Sequence, residues 1–189
     1  MKQNFAKIIR IITIPPVEVF VMLTILYSTY GNIFASAKEF FLAILFLAVI
    51  PMCAYIVPAK HSAKEDARNH QRNLAFTFNF LSYMAAVLIG YFAAFSHMLL
   101  QILTAYFLSV LLLTFLNKVT HTRASGHACS CTLPYLILSF YFGSIAFLIC
   151  LVLYFAEFWA SVELKRHTKS EFLLGSLTAC LIFACTLCI

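Results

Sequence analysis

The sequence predicts an all-α fold: a polytopic integral membrane bundle of about six to seven transmembrane helices, in a single domain over residues 1–189. The chain is 63% hydrophobic and 11% charged, with a mean hydropathy of +0.94, whereas soluble domains carry about 25% charged residues. Several apolar runs approach the ~20 residues that a helix needs to cross a bilayer. The charges gather in three polar segments between those runs. We therefore expect a lipid environment and no nucleic acid partner, while the oligomeric state stays open.

The apolar runs define the elements in chain order. They cover residues 11–30, 40–57, 73–95, 98–117, 129–160 and 172–189. The first run contains Pro15 and Pro16, and prolines are tolerated in membrane helices, where they kink the axis. Glu18 follows them; it is either a functional residue within the membrane or a residue near an interface, and both interpretations stay open. The basic N-terminal segment continues into a span without a small-residue cleavage site, so no cleavable signal is expected.

The run 129–160 is too long for one span, because a helix of that length exceeds the ~30 Å hydrocarbon core. A hairpin that turns at Gly143-Ser144 divides it into two short spans. Two spans also separate the first polar segment (58–73) from the second (117–130). With the hairpin, all three polar segments, including the third (161–171), lie on the same membrane face. The predicted number of membrane spans then becomes seven.

The Lys and Arg residues predict the orientation, since cytoplasmic loops are enriched in them. Twelve of the thirteen lie on the face of the N-terminus, and Lys38 lies on the other. We therefore predict a multi-pass protein of the cell membrane with its polar segments in the cytoplasm. An anion site would also need basic residues, but the N-terminal Lys2, Lys7 and Arg10 are expected to be independent of such a site.

Cysteine spacing gives little indication of a metal. Cys185 and Cys188 lie two residues apart, but no second pair with ligand spacing accompanies them. The cysteines are interpreted as small apolar residues, and neither a metal nor another cofactor is expected.

Two of the polar segments combine histidine with groups that suit phosphate chemistry. In the second, Ser125 offers a hydroxyl, Gly126 allows close backbone approach, and His127 follows. In the third, His167 and Glu171 are four residues apart, so on a helix they would share a face. A carboxylate that holds one imidazole nitrogen leaves the other free to attack. Together with nearby Arg and Lys, this set suits phosphoryl transfer through a phosphohistidine without a metal.

These motifs resemble those of the type-2 phosphatidic acid phosphatases, relatives of the vanadium haloperoxidases. The family's Pro-Ser-Gly-His corresponds to residues 124–127, which match at three of four places. Another family motif consists of Ser-Arg, then His after five residues, then Asp after three more. It corresponds to residues 160–171, with Ser161 at the Arg place and Glu171 at the Asp place. Gly175 follows four residues later, as is common in the family. The family's remaining motif, a Lys followed after six residues by Arg-Pro, is only partly present. Arg72 stands at the Arg place, but Asn73 and Glu65 stand at the Pro and Lys places.

The resemblance covers about residues 58–180 and implies a role for each matching residue. His167 would be the nucleophile, Glu171 would orient it, and His127 would protonate the leaving oxygen. The phosphoryl oxygens would be held by Arg72, Arg68, Lys64, Ser125 and the Gly126 amide, with Arg123 nearby. Arg166 or Lys165 could replace the arginine missing at Ser161.

The implied activity is metal-independent hydrolysis of a membrane lipid phosphate. The substrate would be a polyprenyl (di)phosphate, a phosphatidate or a phosphatidylglycerophosphate. The alternative is an inactive relative that binds a phosphorylated lipid or a membrane partner.

Overall fold

The structure, a computed structural model, describes residues 1–56 and 64–188, without the side chains of 64–69, and all regular structure in this part is helical. The predicted all-α class is confirmed. The helices are α1 (Lys2–Ile12), α2 (Pro15–Thr29), α3 (Ala37–Ile44), α4 (Ile50–Ile56), α5 (Lys64–Phe92), α6 (His97–Thr114), α7 (Gly126–Phe142), α8 (Ser144–Glu163) and α9 (Lys169–Thr186). A π-helical segment, Leu45–Val49, joins α3 to α4, and another, Phe115–Val119, extends α6.

Five helical stretches in the described part are long and apolar enough to cross a membrane. They are Ala37–Ile56, His70–Phe92, His97–Val119, Ser144–Glu163 and Lys169–Thr186. Helices α1 and α2 together make a sixth, bent by 51°. The number of candidate spans is therefore five or six, against the six to seven predicted. Helix α7, with 17 residues, is shorter than any of these five stretches and is not among them.

In the N-terminal run, the predicted kink at the proline pair is a break between two helices that are bent by 51°. Helix α1 ends at Ile12, and α2 begins at Pro15, with Pro15 and Pro16 in its first turn. Proline has no N–H to donate and restricts the preceding residue to extended backbone, which is the conformation of Ile14. The proline pair therefore starts a new helix instead of kinking an existing one. Helix α1 then packs against α8.

The predicted hairpin at residues 143–144 is confirmed. Helix α7 ends at Gly143, whose φ of +73° is a conformation that L side chains rarely adopt, and α8 starts at Ser144. The pairs α5–α6 and α7–α8 each reverse the chain, so the α6–α7 and α8–α9 connections lie at the same end as the start of α5. These connections are shorter than predicted, and residues 64–73 of the expected first segment are helical.

The core is formed by apolar side chains of α2, α6 and α7, including Met22, Leu26, Leu103, Tyr106 and Leu133. The outer surface is also apolar. On α8, for example, Ile145 and Val152 expose 76% and 70% of their surface. A continuous exposed apolar surface of this kind is typical of contact with lipid or another protein.

Candidate active site

A cavity of about 810 Å³ opens at the end of the bundle where the predicted polar segments meet. Its wall includes both motif histidines, Glu171 and several basic side chains. The basic residues are Arg10, Arg72, Arg123, Lys165 and Arg166. Residues separated by more than 150 positions in the chain thus share one cavity, as the hairpin prediction required.

The first turn of α7 contributes one wall of the cavity. Ser125 is the N-cap of this helix: its hydroxyl accepts a hydrogen bond from the Ala128 N–H at 3.1 Å, and its side chain is 0% exposed. Gly126 and His127 follow and line the cavity. The first amides of a helix attract anions, because they lack partners within the helix and lie at the positive end of its dipole. Ser125 therefore shapes the helix start, while the hydroxyl predicted to bind phosphate is used in the cap.

His167 and Glu171 contact each other at the start of α9. The His167 Nδ1 atom lies 3.5 Å from the Glu171 Oε2 atom. The helix begins only at Lys169, so His167 precedes it and the predicted shared helix face is not formed. Glu171 instead closes a capping box, in which its Oε2 accepts from the Thr168 N–H at 3.0 Å. The cap fixes the carboxylate beside the imidazole.

The two histidine motifs are joined directly. The Ser125 N–H donates to the Glu171 carbonyl at 2.9 Å. Gly175, one turn further along α9, faces the same backbone: a Cβ atom there would lie 2.2 Å from the Ser125 carbonyl oxygen. The glycine is therefore needed for close approach of α9 to the start of α7, and this packing sets the relative position of His127 and His167.

The surroundings of His167 favour a neutral imidazole. Burial lowers its pKa from 6.5 to about 4, and the positive charge of Arg10 acts in the same direction, while Glu171 opposes both. The side chain still exposes 23% of its surface. We therefore expect an uncharged ring at neutral pH, with Nδ1 turned toward Glu171 and Nε2 away from that contact.

The other predicted phosphate-binding residues are placed as follows. Arg72, Arg123 and Arg166 line the cavity. Arg123 also lies 3.8 Å from Glu171 through its Nε atom, with 70% of its side chain exposed. The side chains of Lys64 and Arg68 lie outside the described part of the structure.

Arg10 is the residue that sequence reasoning missed as a site residue. Its Nη1 atom donates to the Ser161 hydroxyl at 3.1 Å, and its side chain lines the cavity. Ser161 is the position at which the motif lacks its arginine, so the guanidinium reaches this position from α1 instead of α8. Arg10 is therefore not an independent indicator of orientation, unlike Lys2 and Lys7, which lie outside the cavity wall. The proline pair after α1 could have indicated a separate helix, but no local signal indicates a contact with Ser161.

Most of the rest of the cavity wall is apolar or aromatic, and the polar side chains in it are Gln71, Asn79, Ser109, Ser130 and Thr168. The apolar and aromatic residues include Pro15, Pro16, Pro51, Tyr55, Phe76, Tyr83, Tyr106, Val110, Leu113 and Leu133. The cavity thus offers a basic, histidine-containing region together with a surface suited to hydrocarbon.

Comparison of the chain with protein-family models, with curated proteins and with solved structures finds no match. The resemblance to the type-2 phosphatidic acid phosphatases therefore depends on the motif residues alone, and the geometry of those residues has to carry the functional argument.

Proposed function

We propose that this protein is an integral membrane lipid phosphatase that hydrolyses a phosphomonoester or diphosphate of a membrane lipid through a phosphohistidine. The observation that carries the proposal is the single cavity in which the His167–Glu171 pair, His127 and five basic side chains meet an apolar wall. The basic side chains and histidines suit a phosphate group, and the apolar part of the wall suits a lipid tail.

Membrane insertion is supported by the five or six apolar helices and by the exposed hydrophobic side chains of α8. In the proposed orientation, the cavity opens at the cytoplasmic face of the cell membrane. Labelling of single cysteines tests this orientation. Thr122→Cys, in the α6–α7 connection, should be protected from an impermeant reagent in intact cells, whereas Ala94→Cys, at the opposite end of α5, should react. The reverse pattern would place the cavity outside.

In the proposed reaction, the His167 Nε2 lone pair attacks phosphorus, and the bond from phosphorus to the leaving oxygen breaks. The leaving oxygen is the lipid oxygen of a monoester or the bridging oxygen of a diphosphate. His127 gives its proton to that leaving oxygen. Water then attacks the phosphohistidine with His127 as the base, which releases inorganic phosphate and restores His167. Glu171 stabilises the positive charge that develops on the His167 ring during the attack.

The basic side chains and the first amides of α7 stabilise the anionic transition state. Its charge is spread over three equatorial oxygens, which need several donors from different directions. Arg72 and Arg166 come from α5 and the α8–α9 connection. Arg10 comes from α1 and occupies the position of the missing motif arginine. No metal takes part in these steps.

The proposed substrate carries its phosphate on a lipid. The connections at this end of the bundle are short, since α6 and its extension end at Val119 and α7 begins at Gly126. Little protein is thus available to enclose a soluble ester above the membrane. A polyprenyl (di)phosphate, a phosphatidate or a phosphatidylglycerophosphate could place its tail along the apolar wall and its phosphate beside the histidines.

Phosphate release by the purified protein in detergent tests the proposal. We expect hydrolysis of at least one of these lipid phosphates in the presence of EDTA, and much slower turnover of a soluble aryl phosphate. Equal turnover of the soluble ester would exclude lipid selectivity. Binding of lipid phosphates without hydrolysis of any would favour the inactive relative.

A further inference from the structure

A second group of polar side chains is buried behind the cavity, where α2, α7 and α8 meet. Tyr135 contacts two carboxylates through its hydroxyl, one from Glu18 and one from Glu157. Cys131, one turn before Tyr135 on α7, is fully buried beside them. His127 lies one turn earlier on the same face of α7. Neither carboxylate forms an ion pair with a basic residue in the described part of the structure.

The hydrogen bonds available do not satisfy this group. The Tyr135 hydroxyl has one hydrogen, but two carboxylates contact it. The second oxygens of Glu18 and Glu157 and the Nε2 atom of His127 are buried without any hydrogen-bond partner. Glu157 is 0% exposed. Two ionised carboxylates in such a place are strongly unfavourable unless a proton or a cation compensates them.

The donor atoms favour a metal cation over a proton. One ligand atom each from His127, Cys131 and Glu157 lies within 4.8 Å of the other two. Ligand atoms around tetrahedral zinc lie about 3.5 Å apart, so small side-chain rotations would bring these three atoms to the spacing of zinc ligands. A proton on one carboxyl would leave the His127 nitrogen without a partner. Nitrogen and sulfur ligands suit a divalent transition metal and disfavour Mg²⁺ or Ca²⁺.

We propose that His127, Cys131 and Glu157 bind a divalent transition metal of the Zn²⁺ type, with Glu18 as the fourth ligand. The ion would enter from the cavity, whose wall includes His127. The Cys131 thiol loses its proton on binding, and the cation compensates both carboxylates.

Binding at this site would inhibit the hydrolysis, a consequence that rests on the proposed function. A metal on Nε2 keeps the His127 ring from becoming an imidazolium, so it cannot give a proton to the leaving oxygen. The metal would therefore regulate the phosphatase without taking part in its chemistry. The binding itself does not depend on the proposed activity.

The test is a titration of the chelator-treated, full-length protein with Co²⁺, followed by displacement with Zn²⁺. A Cys180→Ser/Cys185→Ser/Cys188→Ser background removes the exposed thiols near the C-terminus, which could bind metal adventitiously. We expect one Co²⁺ per chain with a thiolate-to-cobalt charge-transfer band. Cys131→Ser should remove this band, and Glu157→Gln should weaken Co²⁺ binding by at least about tenfold. Cys129→Ser, on the same helix and equally buried, is the matched control and should keep the band.

The absence of the band in the starting protein, or its persistence after Cys131→Ser, would overturn the proposal. Should Cys131→Ser fail to fold, unchanged Co²⁺ binding in Glu157→Gln would overturn it equally. Zn²⁺ should inhibit lipid phosphate hydrolysis in the starting protein and much less in Cys131→Ser. Metal binding by a protein that hydrolyses no lipid phosphate would support the site and refute the proposed function, so the two failures are distinguishable.

Discussion

Arg10→Gln is expected to slow hydrolysis of the lipid phosphate by about two orders of magnitude. The guanidinium lies 3.1 Å from the Ser161 hydroxyl and faces the cavity. A unit charge ~4 Å from a phosphoryl oxygen contributes about 4 kcal/mol at an effective dielectric constant of about 20. Because other cations remain near the phosphate, we take about 3 kcal/mol, the usual effect of removing one transition-state donor. At about 1.36 kcal/mol per factor of ten, this corresponds to roughly a hundredfold loss.

The assay is kcat/KM for one lipid phosphate in detergent micelles, with thermal unfolding measured in parallel. Lys7→Gln is the matched control, since Lys7 belongs to the same helix, is exposed, and lies outside the cavity wall. This control removes the same charge and should keep full activity. A second variant returns the arginine to the motif position. Arg10→Gln/Ser161→Arg should recover at least part of the loss, because the space that Arg10 leaves lies beside residue 161.

Ser161→Arg alone should not improve activity, because Ser161 is fully buried and Arg10 already occupies the adjacent space. The reasoning is refuted if Arg10→Gln is folded and as active as Lys7→Gln. It is also refuted if the double variant folds but is no more active than Arg10→Gln, because Arg10 would then hold α1 against α8 without contacting the phosphate.

Three further predictions concern the histidine pair and its support. His167→Ala and His127→Ala should each lower kcat by at least about 10³-fold, and Glu171→Gln should lower it by about 10²-fold. His121→Ala is the control and should leave kcat unchanged, because His121 is exposed and outside the cavity wall. Substantial activity in His167→Ala would exclude the phosphohistidine. Because the pKa of His167 is lowered from 6.5 to about 4, its neutral form should persist to about pH 5. The stability of the fold should therefore decrease as the pH falls from 6.5 to 4, where the unfolded chain takes up a proton that the folded chain does not. Thermal unfolding of His167→Gln should lack this part of the pH dependence, and the same pH dependence in both proteins would contradict the lowered pKa. Gly175→Ala places a Cβ atom 2.2 Å from the Ser125 carbonyl oxygen, so it should destabilise the fold by about 1–3 kcal/mol and reduce activity. Gly31→Ala is the control: no atom lies within 4 Å of its Cβ position, so its thermal unfolding should be unchanged.

Features with a local cause could be predicted from the sequence. The turn at Gly143 was predictable because the run 129–160 is too long for one span and contains a glycine followed by a polar residue. The sequence showed Gly175 only as part of the motif resemblance, and its role in the close approach of α9 to the start of α7 comes from the structure. The order of the motifs with the hairpin between them placed His127 and His167 at the same end of the bundle, and both line one cavity.

Features that depend on side-chain direction could not be predicted. Ser125 is adjacent to Gly126 and His127, but its hydroxyl caps α7 and is buried. His167 contacts a Glu171 carboxylate that the capping box with Thr168 holds in place, and not through the helix face that their spacing suggests. Glu18 was compatible with an interface or a functional position in the membrane; the structure places its carboxylate against Tyr135. In each case the outcome depends on contacts between helices that are distant in the sequence.

The position of Arg10 beside Ser161 follows from the same kind of packing between distant helices. A phosphoryl group is recognised by where positive charge lies around it, and not by the helix that supplies that charge. In this chain, α1 is separated from α2 by a 51° bend at the proline pair and packs against α8, so that a guanidinium from the first helix reaches Ser161. Two arginines could not both fill that buried space without repulsion and steric conflict. A serine at 161 leaves room for the Arg10 guanidinium and accepts its hydrogen bond, so the proposed activity does not need an arginine at position 161.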